Sequence, residues 1–324
     1  MSDGSKVAMA DWVDTKTSIP VGSPQPMTTK PQSVLQFASQ STRSAVLELN
    51  QQPGLVLFAV GMVGMGVLAL VYRDFAMVWQ PVPAWVPGHV ALACGSGVLM
   101  LACGVGLIFR ATSAWAVRIL FPYLIAWQLL KLPDIFITPG SEGVYLGFGE
   151  LAVLLAGGWT LFALMAALPE TSRLNFLTGE RVVRIVRFYF AVWIIPIGLS
   201  HLVYVQATAD LVPSWLPYRT GWAYLTGVGQ MASGLGLLFG VFPRVAAWAE
   251  AFQISAYTLL IWLPAATFGP DKDLSKVFPQ SGPRLYFTAL FISWVIGAGA
   301  WVVAQNVPPK HKEGPLSTTH ARLG

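Results

Sequence analysis

Long apolar stretches, separated by short polar or proline-containing connections, run through most of the chain. Residues 55–72 and 151–168, for example, contain no charged side chain. A helix needs about 20 predominantly apolar residues to cross a hydrocarbon core about 30 Å thick. Strands that cross a membrane would instead show segments of about 10 residues with alternating polar and apolar positions, a pattern that we do not find. The hydrophobic pattern therefore predicts an all-α membrane protein.

Eight stretches are candidates for transmembrane helices. They cover residues 55–73, 88–109, 112–132, 144–168, 186–207, 219–240, 244–264 and 284–304. Pro133 and Pro264 lie at the ends of two stretches, where proline is expected because it cannot continue a helix. Pro122 and Pro196 lie inside the third and fifth stretches, and we expect kinks there because neighbouring helices can satisfy the freed carbonyl groups.

The remaining segments are polar. Residues 1–53 are rich in Ser, Thr, Gln and Pro, and they have too few apolar side chains to offset the entropy of folding. They are predicted to form a disordered cytoplasmic tail, and they lack the short apolar run after a basic start that marks a cleaved signal peptide. Residues 170–185 are predicted as a cytoplasmic linker and residues 306–324 as a second cytoplasmic tail.

The charge content agrees with a membrane location. Apolar residues make up 55% of the 324-residue chain and charged residues 11%, whereas soluble domains contain about 25% charged residues. The net charge of +5 comes from basic residues that flank the apolar stretches and do not form one dense patch. We therefore expect the lipid bilayer as a partner, and no nucleic acid.

The basic residues also predict the orientation. Eight spans place both termini on one side, and basic residues are enriched on the cytoplasmic side of membrane proteins. The side of the termini receives Arg43, Arg110, Arg118, Arg173, Arg181, Arg184, Arg187, Arg244, Lys310, Lys312 and Arg322. The other side receives only Arg73, Lys131, Arg219, Lys272, Lys276 and Arg284. Both termini are therefore predicted to be cytoplasmic in a multi-pass protein of the plasma (inner) membrane.

The chain contains an internal repeat with an offset of 130 residues. Val-Pro-Ala-Trp-Val-Pro at 82–87 recurs as Val-Pro-Ser-Trp-Leu-Pro at 212–217, and 12 of the 28 positions from 82 to 109 are identical in the ungapped comparison. Each unit, 54–169 and 186–305, holds four spans. Because four is even, the two four-helix repeats are predicted to be parallel and related by an axis along the membrane normal.

The second unit resembles a known family. Gly-Leu-Ser-His at 198–201, the motif at 211–217 and the Gly-rich segment 225–238 are similar to the DoxX-like family of four-helix membrane proteins. The first unit looks like a degenerate copy that has Ala69 near the place of the histidine. The resemblance implies a four-helix membrane fold. It also implies a link to quinone-dependent thiosulfate oxidation or to membrane-associated thiol redox complexes, and hence a soluble or membrane redox partner.

A few polar side chains fall inside the spans of the second unit. Polar and ionisable groups in spans are costly and tend to face the bundle interior or a water-filled cavity. Glu250, Gln253 and Tyr257 are spaced i, i+3 and i+7, so they share one helix face. Together with His201 and Gln230 they form a candidate ligand site, with interhelical hydrogen bonds as the alternative role. His201 is expected near the outer surface and Glu250 deeper, without direct contact between them.

His201 indicates the chemistry of the site. A neutral imidazole can hydrogen-bond a quinone carbonyl or relay a proton, so a quinone is the candidate cofactor. A haem between His89 and His201 is disfavoured, because no other motif supports it. Cys94 and Cys103 lie about 13 Å apart along one helix, too far for a disulfide. We find no metal-binding set, and the catalytic residues remain unassigned.

Small residues and tryptophans predict further features. Ala102 with Gly106, and Ala232 with Gly236, form small-xxx-small pairs, so the second and sixth spans are predicted to make the closest helix contacts through them. The two Val-Pro-x-Trp-x-Pro loops are expected to form an interfacial aromatic belt or a pair of lids over a central cavity.

Three functions follow from these observations. The first is a membrane subunit of a quinone-linked or thiol-linked redox system, which is what the family resemblance implies. The second is a transporter or permease for a small solute, because internal repeats are common in that class, although few polar residues line the spans. The third is a non-catalytic anchor or assembly subunit.

Overall fold

The computed structural model describes residues 53–77, 79–275 and 282–308, and the regular secondary structure of these residues is helical throughout. The helices are α1 (Pro53–Tyr72), α2 (His89–Ile108), α3 (Arg110–Ile137), α4 (Glu142–Met165), α5 (Glu180–Val203), α6 (Val205–Leu211), α7 (Arg219–Leu238), α8 (Pro243–Tyr257), α9 (Leu263–Phe268) and α10 (Pro283–Gln305). A 3₁₀ turn at Arg173–Leu177 lies in the predicted linker. The predicted N-terminal tail, except for Pro53, and all but the start of the C-terminal one lie outside the described residues.

The helices are those of a membrane protein. Among the described residues, seven helical segments are long and apolar enough to cross a bilayer: α1 to α5, the continuous segment Pro243–Phe268, and α10. This confirms the predicted all-α membrane class. Helix α7 has 20 residues but is not among the seven, because Arg219, Gln230 and several hydroxyl-bearing residues lower its hydropathy. The count of eight spans therefore stays a prediction.

Helices α4 and α10 lie at the centre of the packing. Both are largely buried within the protein, and they contact each other through Gly157 and Gly299. A Cβ atom added to Gly157 would lie 2.6 Å from the Cα of Gly299, so only glycine permits this approach. Helix α1 packs on α2, α2 on α3, and α3 on α4. In the same way, α5 packs on α7, α7 on α8, and α8 on α10. Helix α1 also packs on α10, and α5 packs on α4.

Close helix contacts do occur at the second and sixth predicted spans, but only the glycines of the predicted pairs take part in them. A Cβ added to Gly106 would lie 3.1 Å from the Cβ of Ala116, and one added to Gly236 would lie 3.0 Å from the Cβ of Ala246. Ala102 and Ala232 are exposed on the surface of the helices. Closer contacts run through the glycines two residues after these alanines. A Cβ added to Gly104 would lie 2.8 Å from the carbonyl oxygen of Ala59 in α1, and one added to Gly234 would lie 2.6 Å from Ile194 in α5. Helical periodicity explains why the two alanines face outward, because residues two positions apart in a helix lie on different faces.

Two helices continue where proline predicted an end. Helix α3 runs past Pro133 to Ile137. Pro264 lies in the first turn of α9, which follows α8 through a π-helical turn at Thr258–Trp262. Proline lacks an N–H but has the backbone φ of a helix start. It can therefore follow a π turn, in which the regular α-helical hydrogen bonds are already interrupted. The fifth predicted span, in contrast, is interrupted at Tyr204 between α5 and α6.

Candidate functional site

A cavity of about 490 Å³ lies among α4, α5, α7, the α8–α9 segment and α10. Its walls are mainly apolar, with Leu146, Ile197 and Ile292 among them. Polar side chains on the wall include Glu150, Ser200, His201, Thr226, Gln230 and Tyr257. Leu211 and Val212, from the second Val-Pro-x-Trp-x-Pro segment, line one end. A volume of this size is in the range of about 300–1,000 Å³ that is typical of small-molecule sites.

His201 lies on this wall because α5 and α7 approach closely. A Cβ added to Gly227 would lie 2.8 Å from the Cβ of His201. Glycine at position 227 therefore leaves the room that the His201 side chain needs. The Nδ1 atom of His201 lies 2.9 Å from the hydroxyl oxygen of Thr226. The Thr226 hydroxyl already donates its one hydrogen to the carbonyl oxygen of Trp222, at 2.8 Å. Nδ1–H is therefore the donor to Thr226, and Nε2 is left as a hydrogen-bond acceptor.

Gln253 and Tyr257 complete the surroundings of His201. The Nε2 group of Gln253 donates to the carbonyl oxygen of Thr226 at 2.7 Å and to the hydroxyl oxygen of Tyr257 at 2.8 Å. The absence of a side chain at Gly229 leaves room for the Gln253 amide. The rings of His201 and Tyr257 lie 5.6 Å apart between centroids. Three of the five predicted residues thus meet around Thr226.

The other two predicted residues form a separate buried pair. Gln230 Nε2 donates to Glu250 Oε1 at 3.2 Å, and the two residues are 1% and 0% exposed. Gln230 reaches the cavity wall, whereas Glu250 lies behind it. The remaining oxygens, Gln230 Oε1 and Glu250 Oε2, make no hydrogen bond within the described residues, although the Ser233 hydroxyl is close enough to act on the Glu250 carboxyl. His201 and Glu250 are not in contact, as expected from their depths.

The first half of the chain offers an internal comparison at the offset of 130. Ser96 and Tyr123, which correspond to Thr226 and Gln253, are hydrogen-bonded to each other at 2.6 Å. Met100 and Leu120, which correspond to Gln230 and Glu250, are both buried. At these two positions the first half therefore has buried apolar residues, and the second half has a buried polar pair.

Sequence reasoning missed two charged residues near the cavity. Glu150, within the fourth predicted span, lies on the cavity wall. Lys131 was counted among the outer basic residues, but it is only 8% exposed and interacts electrostatically with Glu150. Its Nζ atom passes over Gly147, where an added Cβ would lie 2.8 Å away. Gly147, three residues before Glu150, is the one sequence signal for this contact.

Thr226 was also missed, although it contacts three of the site residues. A threonine within a helix commonly bonds to a carbonyl of its own preceding turn, and Thr226 does so at Trp222. Only the approach of α5 adds the contact with His201, so the sequence of α7 alone carries no signal for it.

A charged clasp holds the segment at the end of the cavity. The backbone N–H of Ser214 donates to the Asp271 carboxylate at 2.6 Å, and the Lys272 ammonium donates to the carbonyl oxygens of Asp210 and Val212. Burial alone would raise the pKa of Asp271, but the hydrogen bonds from Ser214 and the nearby Lys272 and Arg219 lower it below its ordinary value. Of the two tryptophan loops, the second one thus lies against the cavity.

His89 and the two cysteines lie away from this cavity. The His89 Nε2 atom lies 3.3 Å from the carbonyl oxygen of Val82 and 3.4 Å from the Asp74 carboxylate. Asp74 also forms an ion pair with Arg284 at 2.7 Å, which joins the two halves of the chain. Cys94 and Cys103 are both in α2, and neither is among the residues that line the cavity.

Comparison with known proteins adds a family match for this region. Residues 190–263 match a protein-family model described as a domain of unknown function (DUF8561). No curated protein and no solved structure matches the chain. The matched segment runs from α5 to the start of α9 and contains all five predicted site residues.

Proposed function

We propose that this protein is the membrane subunit of a quinone-linked redox system and that a quinone or quinol head group binds in the cavity beside His201. The observation that carries the proposal is the His201 imidazole on a mainly apolar cavity wall, with Nδ1 held by Thr226 and Nε2 left to accept a hydrogen bond. A quinone-type ligand combines an apolar ring and tail with two oxygen atoms. Apolar walls with a few convergent polar groups are what such a ligand requires.

The internal comparison favours ligand binding over a purely structural role for the polar residues. At the positions of Gln230 and Glu250, the first half has buried Met100 and Leu120. The corresponding helix crossing in the first half therefore has apolar residues at these two positions, beside the Ser96–Tyr123 hydrogen bond. Buried polar groups in a membrane bundle are costly, so their presence in the half that holds the cavity indicates a use beyond packing.

We also propose the finer architecture: eight spans, with α7 as the eighth, in two parallel four-helix repeats of DoxX-like type and with cytoplasmic termini. Helices α2 and α7 both have 20 residues and begin 130 residues apart. The residues before them, Gly88 and Tyr218, both have left-handed backbone conformations, with φ of 72° and 55°. Such a conformation is unfavourable for tyrosine, so its occurrence at the same repeat position supports a common turn.

The quinone-linked form of the proposal is preferred to the thiol-linked form. A thiol-linked role would be favoured by a cysteine at the cavity, but the lining residues include none. The transporter and anchor functions remain the alternatives that the binding experiment separates from this one.

The proposal is tested by titrating a short-tailed quinone, in its oxidised and reduced forms, into the purified protein in lipid nanodiscs. Trp222 on the cavity wall provides a fluorescence signal. We expect His201→Leu to weaken the tighter-binding form by about tenfold, because one hydrogen bond in an apolar site is lost. His89→Leu is the matched control and should bind as the wild type does.

Two results would contradict the proposal. One is the absence of saturable binding to the wild type, and the other is an equal loss of binding in the two histidine variants. Uptake of a small solute into proteoliposomes that His201→Leu abolishes would favour the transporter alternative.

A further inference from the structure

One end of the cavity is covered by the short helix α6. The lining residues of α4 come from its N-terminal part and those of α5 from its C-terminal part, so the cavity lies at the end of the bundle where these two parts meet. Helix α5 stops before Tyr204, and α6 (Val205–Leu211) follows directly. Ala207, Thr208 and Leu211 share one face of α6 and line the cavity. Helix α6 is therefore a cover over the candidate ligand site.

The two ends of α6 are held differently. At its start, Tyr204 has an irregular backbone conformation, with φ of −106° and ψ of 43°. At its end, the clasp connects Asp210, Val212 and Ser214 to Asp271 and Lys272 through contacts that are wholly or partly exposed. Water competes with charged contacts at a surface, so they contribute little to stability. The clasp can therefore open at low cost while the helices around the cavity keep their packing.

The corresponding segment of the first half is inserted into its own bundle. At the offset of 130, Gln80 corresponds to Asp210 of α6, and Gln80 is buried. Its Nε2 group donates to the Ser96 hydroxyl at 3.1 Å and to the Tyr123 hydroxyl at 2.6 Å. Ser96 and Tyr123 are the counterparts of two residues that surround His201. The first half thus fills the corresponding place with its own side chain, whereas α6 in the second half lies over a cavity.

We propose that α6 is a lid whose movement admits the ligand to the cavity, with the clasp to Asp271 and Lys272 as its latch. This inference rests on the proposed function and adds the route by which the ligand enters and leaves that same site. Around the cavity, α4 packs on α5, α5 on α7, α7 on α8, α8 on α10, and α10 on α4. These helices surround the cavity, so the ligand passes at the end that α6 covers. The rates of binding and release should therefore depend on the clasp, whereas the affinity should depend on contacts such as that with His201.

The test locks the lid with a reversible cross-link in the full-length protein in nanodiscs. The contact of 2.6 Å between Ser214 and Asp271 brings the two positions close together, so Ser214→Cys with Asp271→Cys can be oxidised to a disulfide. Stopped-flow fluorescence then gives the rates of binding and release of decyl-quinone. We expect the oxidised protein to exchange the quinone at least about tenfold more slowly than the same protein after reduction, because a locked lid limits passage. The wild type, whose Cys94 and Cys103 are both in α2, is the control and should not respond to oxidation.

A second variant keeps the test decisive if the cysteine pair does not fold or cross-link. Lys272→Met loosens the clasp and should raise the rates of binding and release together, by about threefold or more, with little change in the dissociation constant. His201→Leu should instead raise mainly the release rate, because it removes a ligand contact. Arg73→Met, an exposed change beside the corresponding first-half segment, is the matched control.

Two results would overturn the lid. One is equal exchange rates in the oxidised and reduced cross-link variant, and the other is an unchanged exchange rate in Lys272→Met. Either result, with saturable binding to the wild type, would leave the proposed quinone site intact. No saturable binding to the wild type would overturn both proposals.

Discussion

The pair formed by Gln230 and Glu250 is the most deeply buried polar contact of the site. Each residue keeps one oxygen without a hydrogen bond among the described residues, so the pair is satisfied only in part. Replacing both members of such a pair with apolar groups of similar shape is often nearly neutral or stabilising, whereas replacing one leaves the other unsatisfied. The corresponding first-half positions are occupied by Met100 and Leu120, which are both buried.

Exchanging the pair for its first-half counterpart separates packing from function. We expect Gln230→Met with Glu250→Leu to unfold at a temperature equal to or above that of the wild type. Glu250→Leu alone should cost about 1–3 kcal/mol because Gln230 loses its acceptor. Thermal unfolding of the three proteins in the same detergent gives the comparison. A double variant less stable than the single one would show that the pair acts chiefly as structural glue.

The hydrogen bond from Ser214 to the Asp271 carboxylate makes part of the protein's stability depend on pH. The pKa of Asp271 in the folded protein is lowered from an ordinary value of 3.8, so its stabilising contribution is present above that value and is lost as the pH falls through the lower folded value. We expect the difference in stability between the wild type and Asp271→Asn to be constant from pH 5 to 8 and to shrink below pH 3.8. A difference that stays unchanged at the lowest pH would contradict the clasp to Ser214.

At the scale of the helices, the fold depends on glycines that bring backbones together. Gly104 in α2 and Gly234 in α7 are 130 residues apart, and each faces the first helix of its own half. Around Gly234, an added Cβ would lie 2.6 Å from Ile194 and 2.9 Å from the carbonyl oxygen of Ala191. The carbonyl oxygen of Ala191 belongs to the backbone of α5, so it cannot move aside as the end of a flexible side chain can. The position of His201 on α5 follows from this same contact.

A substitution at this contact should therefore be costly. We expect Gly234→Ala to destabilise the protein by about 1–3 kcal/mol, as overpacking does, and to weaken quinone binding because α5 shifts. Ala232→Val, two residues away on the exposed face, should change stability by less than about 0.5 kcal/mol. The free energies of unfolding in mixed micelles provide the measurement. Equal effects of the two variants would mean that the α5–α7 contact is not the one described.

At the scale of the whole molecule, the hydrophobic pattern predicted the fold class because a bilayer requires long apolar helices. It misplaced the ends of helices at Pro133 and Pro264, since tertiary packing and a π turn let those helices continue. In the site, the cost of polar groups in lipid pointed to residues such as His201 and Glu250. The same rule did not single out Lys131 and Glu150, because only the packing of α3 on α4 buries Lys131 and only the packed bundle places Glu150 on the cavity wall.

The proposed eight-span topology depends on α7, the least apolar of the long helices. We expect a cytoplasmic reporter to be active when inserted after Gly240 or fused after Gly324, and inactive when inserted after Asp271. If α7 did not cross the membrane, the segment at Gly240 would lie outside and the pattern of the three fusions would be inverted. Protease protection of the same fusions in sealed vesicles provides the control.

The central claim is that the cavity holds a quinone-type molecule, and extraction tests it most directly. The protein is purified from its membrane in a mild detergent, and the bound lipid-soluble molecules are extracted and identified by absorption spectrum and mass. We predict about one quinone or hydroquinone per chain in the wild type, and a clear loss in Ala289→Trp, which fills the cavity wall from α10. Equal amounts in both proteins, or no such molecule in the wild type, would contradict the account.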